Sequence, residues 1–402
     1  MTLTSLFLAL TAALDIVNAF SVPTILRDPE AHKRALTNAL TSNGYLTLVK
    51  RDKSPPPKWN FANSTTEDAK ADGSEGIIIE PDLIEGAPGK DGGLVKKIKF
   101  GPYTVPAGAK REFPIGAFGL TPIEPGRPLP CTQCYITAMQ LNMEYEDGKI
   151  ANADTGAWLH HVDISVTGED YTCPSTILGT IINFGDPSMW GARIYAGGNE
   201  RVPVRLNTNK KYGIDPGTGT MGGAVEIMNQ AVKPIKVYVT MLFEFVPKGT
   251  AGYKEARLVW VDVTNCAKES DFKPSNGVYN KQSKSFAMKH DGELIFANGH
   301  QHDGGVKVEL LVNGKLSCTS KQLYANRRGH YIEPTDGTVQ KDLVMPPNSH
   351  ISDVGVCKDW GTVKKGDVLS VKAYFDGDAH MQMMNGWGVL EAQMGIMWTF
   401  VD

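Results

Sequence analysis

The sequence predicts an all-β protein built from antiparallel sandwiches or jelly rolls. From residue 94 onward, alternating or β-branched apolar runs are separated by clusters of glycine, proline, asparagine and aspartate. Long runs with the periodicity of an amphipathic helix are absent from the sequence. Short, regularly spaced strands of this kind are typical of antiparallel sandwiches. The expected strands span residues 95–100, 158–166, 235–245, 257–263, 294–297, 306–312, 368–374 and 395–401.

The first 93 residues have a different character. Residues 6–17 form a short apolar run ahead of a small-residue site, so we expect a signal peptide over residues 1–19, cleaved after Ala19. The dibasic pair Lys50 and Arg51 suggests that residues 20–51 are a propeptide, although such pairs also occur by chance. We expect residues 20–93 to be this propeptide and a flexible extension, with a glycosylation sequon at Asn63.

Charge and hydropathy exclude several classes of partner. The chain of 402 residues has a formal net charge of -3 and no polybasic run, so we expect no binding to nucleic acid. No segment is apolar for long enough to be a membrane helix. We therefore expect a secreted or lumenal soluble monomer, with room for two domains and a sizeable core.

Cysteine usage agrees with an oxidising compartment. The number of cysteines is even, and all follow the expected signal peptide, so three disulfides are the natural interpretation. The C-x-x-C pair follows a loop rich in proline and glycine, which argues against a thioredoxin-type motif, and no second pair nearby completes a zinc site. The cysteines are Cys131, Cys134, Cys173, Cys266, Cys318 and Cys357.

The first candidate metal motif is a pair of histidines one residue apart, His300 and His302. In a strand, residues two apart point to the same face, so both imidazoles can bind one ion. The alternative is two polar residues on the wet face of a half-exposed strand. Asp303 follows directly and could order a metal-bound water, but Asp-Gly is first of all a turn pair.

The second candidate motif is the adjacent pair His160 and His161, within an apolar run. Adjacent residues of a regular strand face opposite ways, so the pair can share a metal only where the strand twists, bulges or ends. Otherwise one histidine points into the core and the other into solvent.

The third candidate is Met394, which opens the last expected strand in a methionine-rich segment. Methionines there usually fill the core. A thioether is also a soft ligand, and together with two imidazoles it favours copper, particularly Cu(I).

Together, the His160-His161 pair, the phrase Gly299-His300-Gln301-His302-Asp303-Gly304-Gly305 and Met394 resemble a known family. It is the copper type II ascorbate-dependent monooxygenase family, which includes peptidylglycine α-hydroxylating monooxygenase. The histidine phrase is more similar still to the stress-upregulated nodulin-like branch and its fungal relatives. The resemblance covers about residues 95–402, in the same order.

The resemblance implies two jelly-roll-like domains, over residues 94–265 and 266–402, each with one copper facing a solvent-filled cleft. It assigns His300, His302 and Met394 to the oxygen-activating copper. It assigns His160 and His161 to the electron-transfer copper, with ascorbate or another reductant as co-substrate.

A family disulfide around the adjacent-histidine motif implies the pairing of Cys134 with Cys173. Cys318 and Cys357 share the second domain, so we expect them to pair, which leaves Cys131 with Cys266.

Two departures from the family pattern leave two functions open. The segment where the third electron-transfer histidine should fall, residues 239–245, contains none, and the peptide-anchoring positions are Asn298, Ile396 and Trp398. Amidation of glycine-extended peptides is therefore not expected. One candidate function is a secreted copper monooxygenase that hydroxylates an aliphatic C–H bond of an unknown substrate. The other is a non-catalytic copper-binding or recognition protein on the same scaffold.

Overall fold

The computed structural model describes residues 83–107, 117–173, 191–229, 231, 233–266, 270–324, 326, 330, 350–383 and 390–402. The expected signal peptide, the dibasic site and Asn63 lie outside these residues, so the predictions about them stay predictions. No helix within the described ranges is long and apolar enough to cross a membrane.

The regular structure of the described residues consists of strands and two short 3-10 turns, Lys90–Gly92 and Ala153–Thr155. The all-β prediction is confirmed, and each of the eight expected strands is present, while the jelly-roll connectivity stays a prediction. The strands of the first half are β1 (Leu94–Val105), β2 (Ala117–Pro128), β3 (Cys134–Tyr145), β4 (Ala157–Val166), β5 (Ala192–Gly197), β6 (Val204–Arg205), β7 (Tyr212–Gly213), β8 (Thr220–Asn229), β9 (Ile235–Pro247) and β10 (Lys254–Glu255). Those of the second half are β11 (Arg257–Asp262), β12 (Asp271–Phe272), β13 (Val278–Gln282), β14 (Phe286–Ala287), β15 (Gly292–His300), β16 (Gly305–Val312), β17 (Lys315–Tyr324), β18 (Ile351–Val354), β19 (Val356–Val363), β20 (Val368–Asp376), β21 (Gln393–Met394) and β22 (Ile396–Val401).

Four main sheets contain most of these strands. Two belong to the first half, in the orders β1-β9-β3-β6 and β2-β8-β4-β5. The other two have the orders β11-β22-β15-β19 and β13-β20-β16-β17-β18, with β14 paired to β20. Two short pairs, β10 with β7 and β12 with β21, complete the pairing. Every pair except β10 with β7 is antiparallel, as the hairpin turns in the sequence predict.

The sheet β11-β22-β15-β19 joins the two halves because both of its faces are buried. Along β22, Trp398 and Phe400 belong to the apolar core that the first-half strands form, whereas Met397 and Val401 belong to the core shared with the β16 and β20 sheet. This alternation follows from the two-residue period of a strand. The face that carries Trp398 therefore presents its side chains to the first half.

Strand β11 lies before the predicted domain boundary at residue 265, yet it pairs with the terminal strand β22 over residues 257–262. The hydrogen bonding thus assigns this strand to a sheet of the second half. The division of the sequence into domains 94–265 and 266–402 stays a prediction.

The described cysteines form three disulfides, and two of the expected pairings are wrong. Cys131 bonds to Cys134 and Cys173 bonds to Cys266, in place of Cys134 with Cys173 and Cys131 with Cys266. A turn at Gln133, with φ of 52°, brings Cys131 back to Cys134 at the start of β3.

The position of Thr172 explains the bond between Cys173 and Cys266. Thr172 accepts a hydrogen bond from the Trp260 amide, which holds its neighbour Cys173 beside the end of β11, where Cys266 follows. The expected bond between Cys318 and Cys357 is confirmed. Three disulfides agree with an oxidising compartment.

Candidate metal centre

Both histidine motifs converge on one cluster of four imidazoles. His160 and His161 come from β4, His300 ends β15, and His302 follows it. The Nε2 atoms of His161 and His302 are 2.9 Å apart, and the ring centroids of His160 and His302 are 4.6 Å apart. Each motif was expected at its own copper, yet the two pairs are in direct contact.

A β-bulge explains how adjacent histidines can serve one point. The pairing of β4 with β8 slips between Leu159 and His161, so that His160 is the extra residue of the strand. A bulge changes the direction in which a side chain points. The rings of His160 and His161 consequently lie side by side, with centroids 4.1 Å apart. The sequence predicted that the two histidines could share a metal only where the strand is irregular, and the bulge provides this irregularity.

Three ligand nitrogens are close enough to be considered as one donor set. One ring nitrogen from each of His160, His161 and His302 lies within 4.8 Å of the other two. The ring of His300 is next to this set, with its centroid 5.2 Å from that of His161.

Groups outside the cluster hold the Nδ1 side of the rings. Glu226 Oε2 accepts a hydrogen bond from Nδ1 of His161 at 2.9 Å, and Nδ1 of His160 is at the same distance from this oxygen. His302 Nδ1 donates to the carbonyl of Ala392 at 2.5 Å. Such partners fix the tautomer of a metal-binding histidine and leave Nε2 free to coordinate.

His300 has its own carboxylate partner on the first half of the chain. Glu200 Oε1 is 3.2 Å from His300 Nδ1. Glu200 lies in the segment between β5 and β6. The neighbouring Asn199 links this segment to the second half, because its Nδ2 donates to the carbonyls of His330 and Ile351 at 2.5 and 2.9 Å. Gly198 leaves the space that the ring needs, since a Cβ there would lie 2.9 Å from His300 Cε1.

Burial and charge set the protonation of the cluster. Burial lowers the pKa of His161 to about 4, and the neighbouring charge of His160 acts in the same direction. Burial also holds the pKa of His302 well below its usual value, and the charges of His160, His161 and His300 act in the same direction. Burial alone would lower the pKa of His160, but the negative charge of Glu226, 2.9 Å from its Nδ1, outweighs burial and raises that pKa. His161 and His302 are therefore neutral at pH 7, which is the form that binds metals.

Two Nε2 atoms of the cluster lack a hydrogen-bond partner among the described residues. Nε2 of His160 and Nε2 of His300 are buried, and neither has a partner among the described residues. Unpaired buried polar atoms are costly in a native protein and call for an explanation such as a bound ion. A set of buried imidazoles with open Nε2 atoms suits copper, zinc or iron. The donor set thus fits the copper that the sequence predicts.

Met394 lies in β21, opposite Asp271, half-buried and packed against the main core. Its role as a copper ligand stays a prediction. Asp303 accepts hydrogen bonds from His350 Nδ1 and from the Ile351 amide, at 2.6 and 2.8 Å, so its carboxylate holds the start of β18.

Sequence reasoning missed Glu226 and Glu200. Glu226 is the cross-strand partner of His161, and no motif marks it because the pairing of β4 with β8 joins residues 65 apart. Glu200 is still further from its histidine in the sequence, at a separation of 100 residues.

Comparison with known proteins gives consistent results. Residues 224–377 match the family model described as stress up-regulated Nod 19. The chain is 29% identical over 311 residues to "Probable copper-dependent oxygenase M1" of Phoma sp., covering 76% of this chain and 72% of that protein. It is 27% identical over 267 residues to "Probable copper-dependent oxygenase clz3" of Cochliobolus lunatus, covering 65% of this chain and 78% of that protein. The resemblance to the stress-upregulated nodulin-like branch and its fungal relatives is confirmed.

Among solved structures, the chain is similar to PNGase F, a glycosylasparaginase from Flavobacterium meningosepticum. The TM-score is 0.36 at 8% identity, covering 76% of this chain and 95% of the other.

Proposed function

We propose that the protein is a secreted copper-dependent oxygenase that hydroxylates an aliphatic C–H bond of its substrate with dioxygen and a reductant such as ascorbate. The observation that carries the proposal is the convergence of His160, His161, His300 and His302 on one buried point. The similarity to proteins named as copper-dependent oxygenases supports copper as the metal.

We further propose that the four histidines hold one shared copper rather than two separate coppers. His161 and His302 are in direct contact, which leaves little room for two independent ions. A shared centre also accounts for the missing third histidine of the first half, because the second half supplies the additional imidazoles. Met394 remains the proposed soft ligand of the reduced ion.

The surrounding residues prepare this centre. Glu226 holds the proton on Nδ1 of His161 and thereby directs the Nε2 lone pair inward. Glu200 does the same for His300. Copper, when bound, supplies the binding and reduction of dioxygen.

The test is a count of copper per chain by inductively coupled plasma mass spectrometry after loading and desalting. We expect about one copper for the wild type and a loss of most of it in both His302→Ala and His161→Ala. His290→Ala is the matched control, because His290 is an exposed histidine beside Tyr171, and its copper content should equal that of the wild type.

Other outcomes separate the alternatives. Two coppers in the wild type, of which each substitution removes only one, would contradict the shared centre. Copper retention without oxygen uptake in the presence of ascorbate would contradict the oxygenase and leave a copper-binding protein. No copper above background would overturn the whole proposal.

A further inference from the structure

A line of stacked aromatic rings extends from His300 away from the metal centre. The ring of Trp398 lies 6.0 Å from that of His300, with an interplanar angle of 23°. Trp260 stacks on the other side, 5.7 Å from Trp398 at 26°. Trp260 and Trp398 are direct cross-strand partners in β11 and β22, so the register of the sheet fixes their contact.

The outer end of this line is close to the surface. The Trp260 amide donates to Thr172 Oγ1 at 2.8 Å, and Thr172 precedes Cys173 of the disulfide to Cys266. Cys266 is exposed, whereas Trp260 and Trp398 are 6% and 2% exposed. The two indoles thus connect the buried histidines with the surface around this disulfide.

Trp260 also has a proton acceptor and a cation in contact with it. Its Nε1 donates to Asp262 Oδ2 at 3.1 Å, and the Arg193 guanidinium lies 4.0 Å from the centre of its ring. The Arg193 charge disfavours a second positive charge on the indole. A Trp260 that loses an electron is therefore expected to lose its Nε1 proton to Asp262 as well.

We propose that Trp398 and Trp260 form an electron path between the copper centre and the surface at the Cys173–Cys266 disulfide. This inference rests on the proposed function, because copper held by the four histidines would supply the oxidising equivalent when dioxygen is reduced without substrate.

The path operates by single-electron steps. Trp398 gives one electron to the centre, and Trp260 gives one electron to Trp398. The Nε1 proton of Trp260 moves to the Asp262 carboxylate. A one-electron reductant of the ascorbate class then returns the electron to Trp260 at the surface, and the proton moves back to Nε1.

Trp158 is the competing site. Its ring lies 5.4 Å from that of His160, but its apolar neighbours are Met383, Met228 and Met381 rather than a second indole. A radical on Trp158 would end in a cluster of oxidisable thioethers. The Trp398 route has a second stacked indole with a proton acceptor, whereas Trp158 contacts the His350 ring, with centroids 4.1 Å apart, and its Nε1 has no hydrogen-bond partner among the described residues.

The experiment detects the indole radicals and oxidised side chains that electron transfer produces, rather than the product of the reaction. Full-length protein is loaded with copper, its copper content is measured, and the reduced protein is mixed with dioxygen without substrate and freeze-quenched. Electron paramagnetic resonance detects indole radicals, and peptide mass spectrometry locates oxidised side chains. The variants are Trp398→Phe and Trp260→Phe, with Trp158→Phe to test the competing site.

Trp360→Phe is the matched control, because the Trp360 indole donates to Ser317 in the second half, outside the line of rings. Circular dichroism and copper content verify that each variant is folded and loaded.

We expect a neutral indole radical in the wild type, in Trp360→Phe and in Trp158→Phe. Trp398→Phe should abolish the signal and increase oxidation of the peptide that contains His300. Trp260→Phe should confine the radical to Trp398 and remove the neutral form. Since Trp260→Phe leaves the ring next to His300 intact, it tests the path even where Trp398→Phe fails to fold.

Three results would overturn the inference. Copper-loaded wild type without an indole radical is one, and a signal that disappears only in Trp158→Phe is another. A signal unchanged in both Trp398→Phe and Trp260→Phe is the third. A chain that retains no copper would overturn the proposed function and the path with it, and the copper content identifies that case.

Discussion

Two buried polar clusters of the molecule differ in their hydrogen bonding. Around Glu244 in β9, Arg205 Nη1 and Thr137 Oγ1 both donate to Oε1 at 2.8 Å, and the Lys90 amide donates to Oε2 at 3.1 Å. Glu244 is 2% exposed, and both of its oxygens accept hydrogen bonds. Around His160 and His300, by contrast, buried Nε2 atoms have no partner within the described ranges.

The difference separates a structural cluster from a candidate functional one. Groups that satisfy each other stabilise a fold and offer nothing to a ligand. Groups that are held in place on one side and open on the other are prepared for an ion.

Removal of the cation from the structural cluster should cost the most stability. Arg205→Met leaves the Glu244 carboxylate buried without its charged partner, and we expect a loss of about 3–5 kcal/mol in the free energy of unfolding. Chemical denaturation measures this. Copper binding should be unchanged, and a copper loss comparable to that of His302→Ala would show that the two clusters are coupled.

The pH dependence of stability should differ between the clusters in the metal-free protein. The folded-state pKa of His161, about 4, is below its reference value of 6.5, so the unfolded chain binds this proton first and stability falls as the pH falls from 6.5 towards 4. The effect is up to about 3 kcal/mol. The lowered pKa of His302 acts in the same direction, whereas the raised pKa of His160 changes stability only above pH 6.5.

The contribution of Glu244 to the free energy of unfolding should change at a lower pH. Burial raises its pKa, but the hydrogen bond and charge of Arg205 outweigh burial and place the pKa below 4.5, so its contribution is lost only as the pH falls below that value. Denaturation of metal-free wild type and His161→Gln between pH 7 and pH 3.5 checks both windows. If the free energy of unfolding changed with pH equally in both proteins between pH 6.5 and 4, the assignment to His161 would be contradicted.

Weakening of the orienting carboxylate should reduce metal affinity with little loss of stability. Glu226→Gln keeps the shape of the side chain but removes the charge beside His160 and His161, and we expect copper affinity to fall about 10–100-fold. Competition titration against a chelator measures this. Glu309→Gln is a control, since Glu309 pairs with Lys307 and Tyr374 away from the histidines. An equal fall in the control would contradict the role of Glu226.

An exposed ion pair should contribute least. Lys236 and Glu146 are 2.8 Å apart with both side chains largely in solvent, so Lys236→Met should change the free energy of unfolding by less than about 1 kcal/mol. The same denaturation assay measures it. A loss as large as that of Arg205→Met would show that burial is not what distinguishes the structural cluster.

The strands and the local part of the site could be predicted from the sequence. The period-two alternation of Val239, Met241 and Phe243 identified β9, and all three side chains are fully buried. The one-residue spacing of His300 and His302 predicted a shared face, and the adjacent pair His160 and His161 predicted a bulge if it was to share a metal. Each inference used only residues that are close in the sequence.

The pairing of distant residues could not be predicted in the same way. Cys134 and Cys173 were paired by resemblance, whereas the turn at Gln133 and the position of β11 determine the observed bonds. Glu226 is 65 residues from His161, and only the β4 and β8 register brings them together. Short-range patterns contain no signal for such contacts.

Strand periodicity and side-chain chemistry are local properties, so the amino-acid sequence was sufficient to predict the β class, the positions of the strands and the histidines of the candidate site. The tertiary structure alone decided that the two histidine pairs meet in one cluster. That meeting depends on the shared sheet β11-β22-β15-β19, whose buried second face carries His300 and Trp398 against the first half of the chain. Burial against another sheet is a long-range property, so it becomes visible only when the halves are packed together.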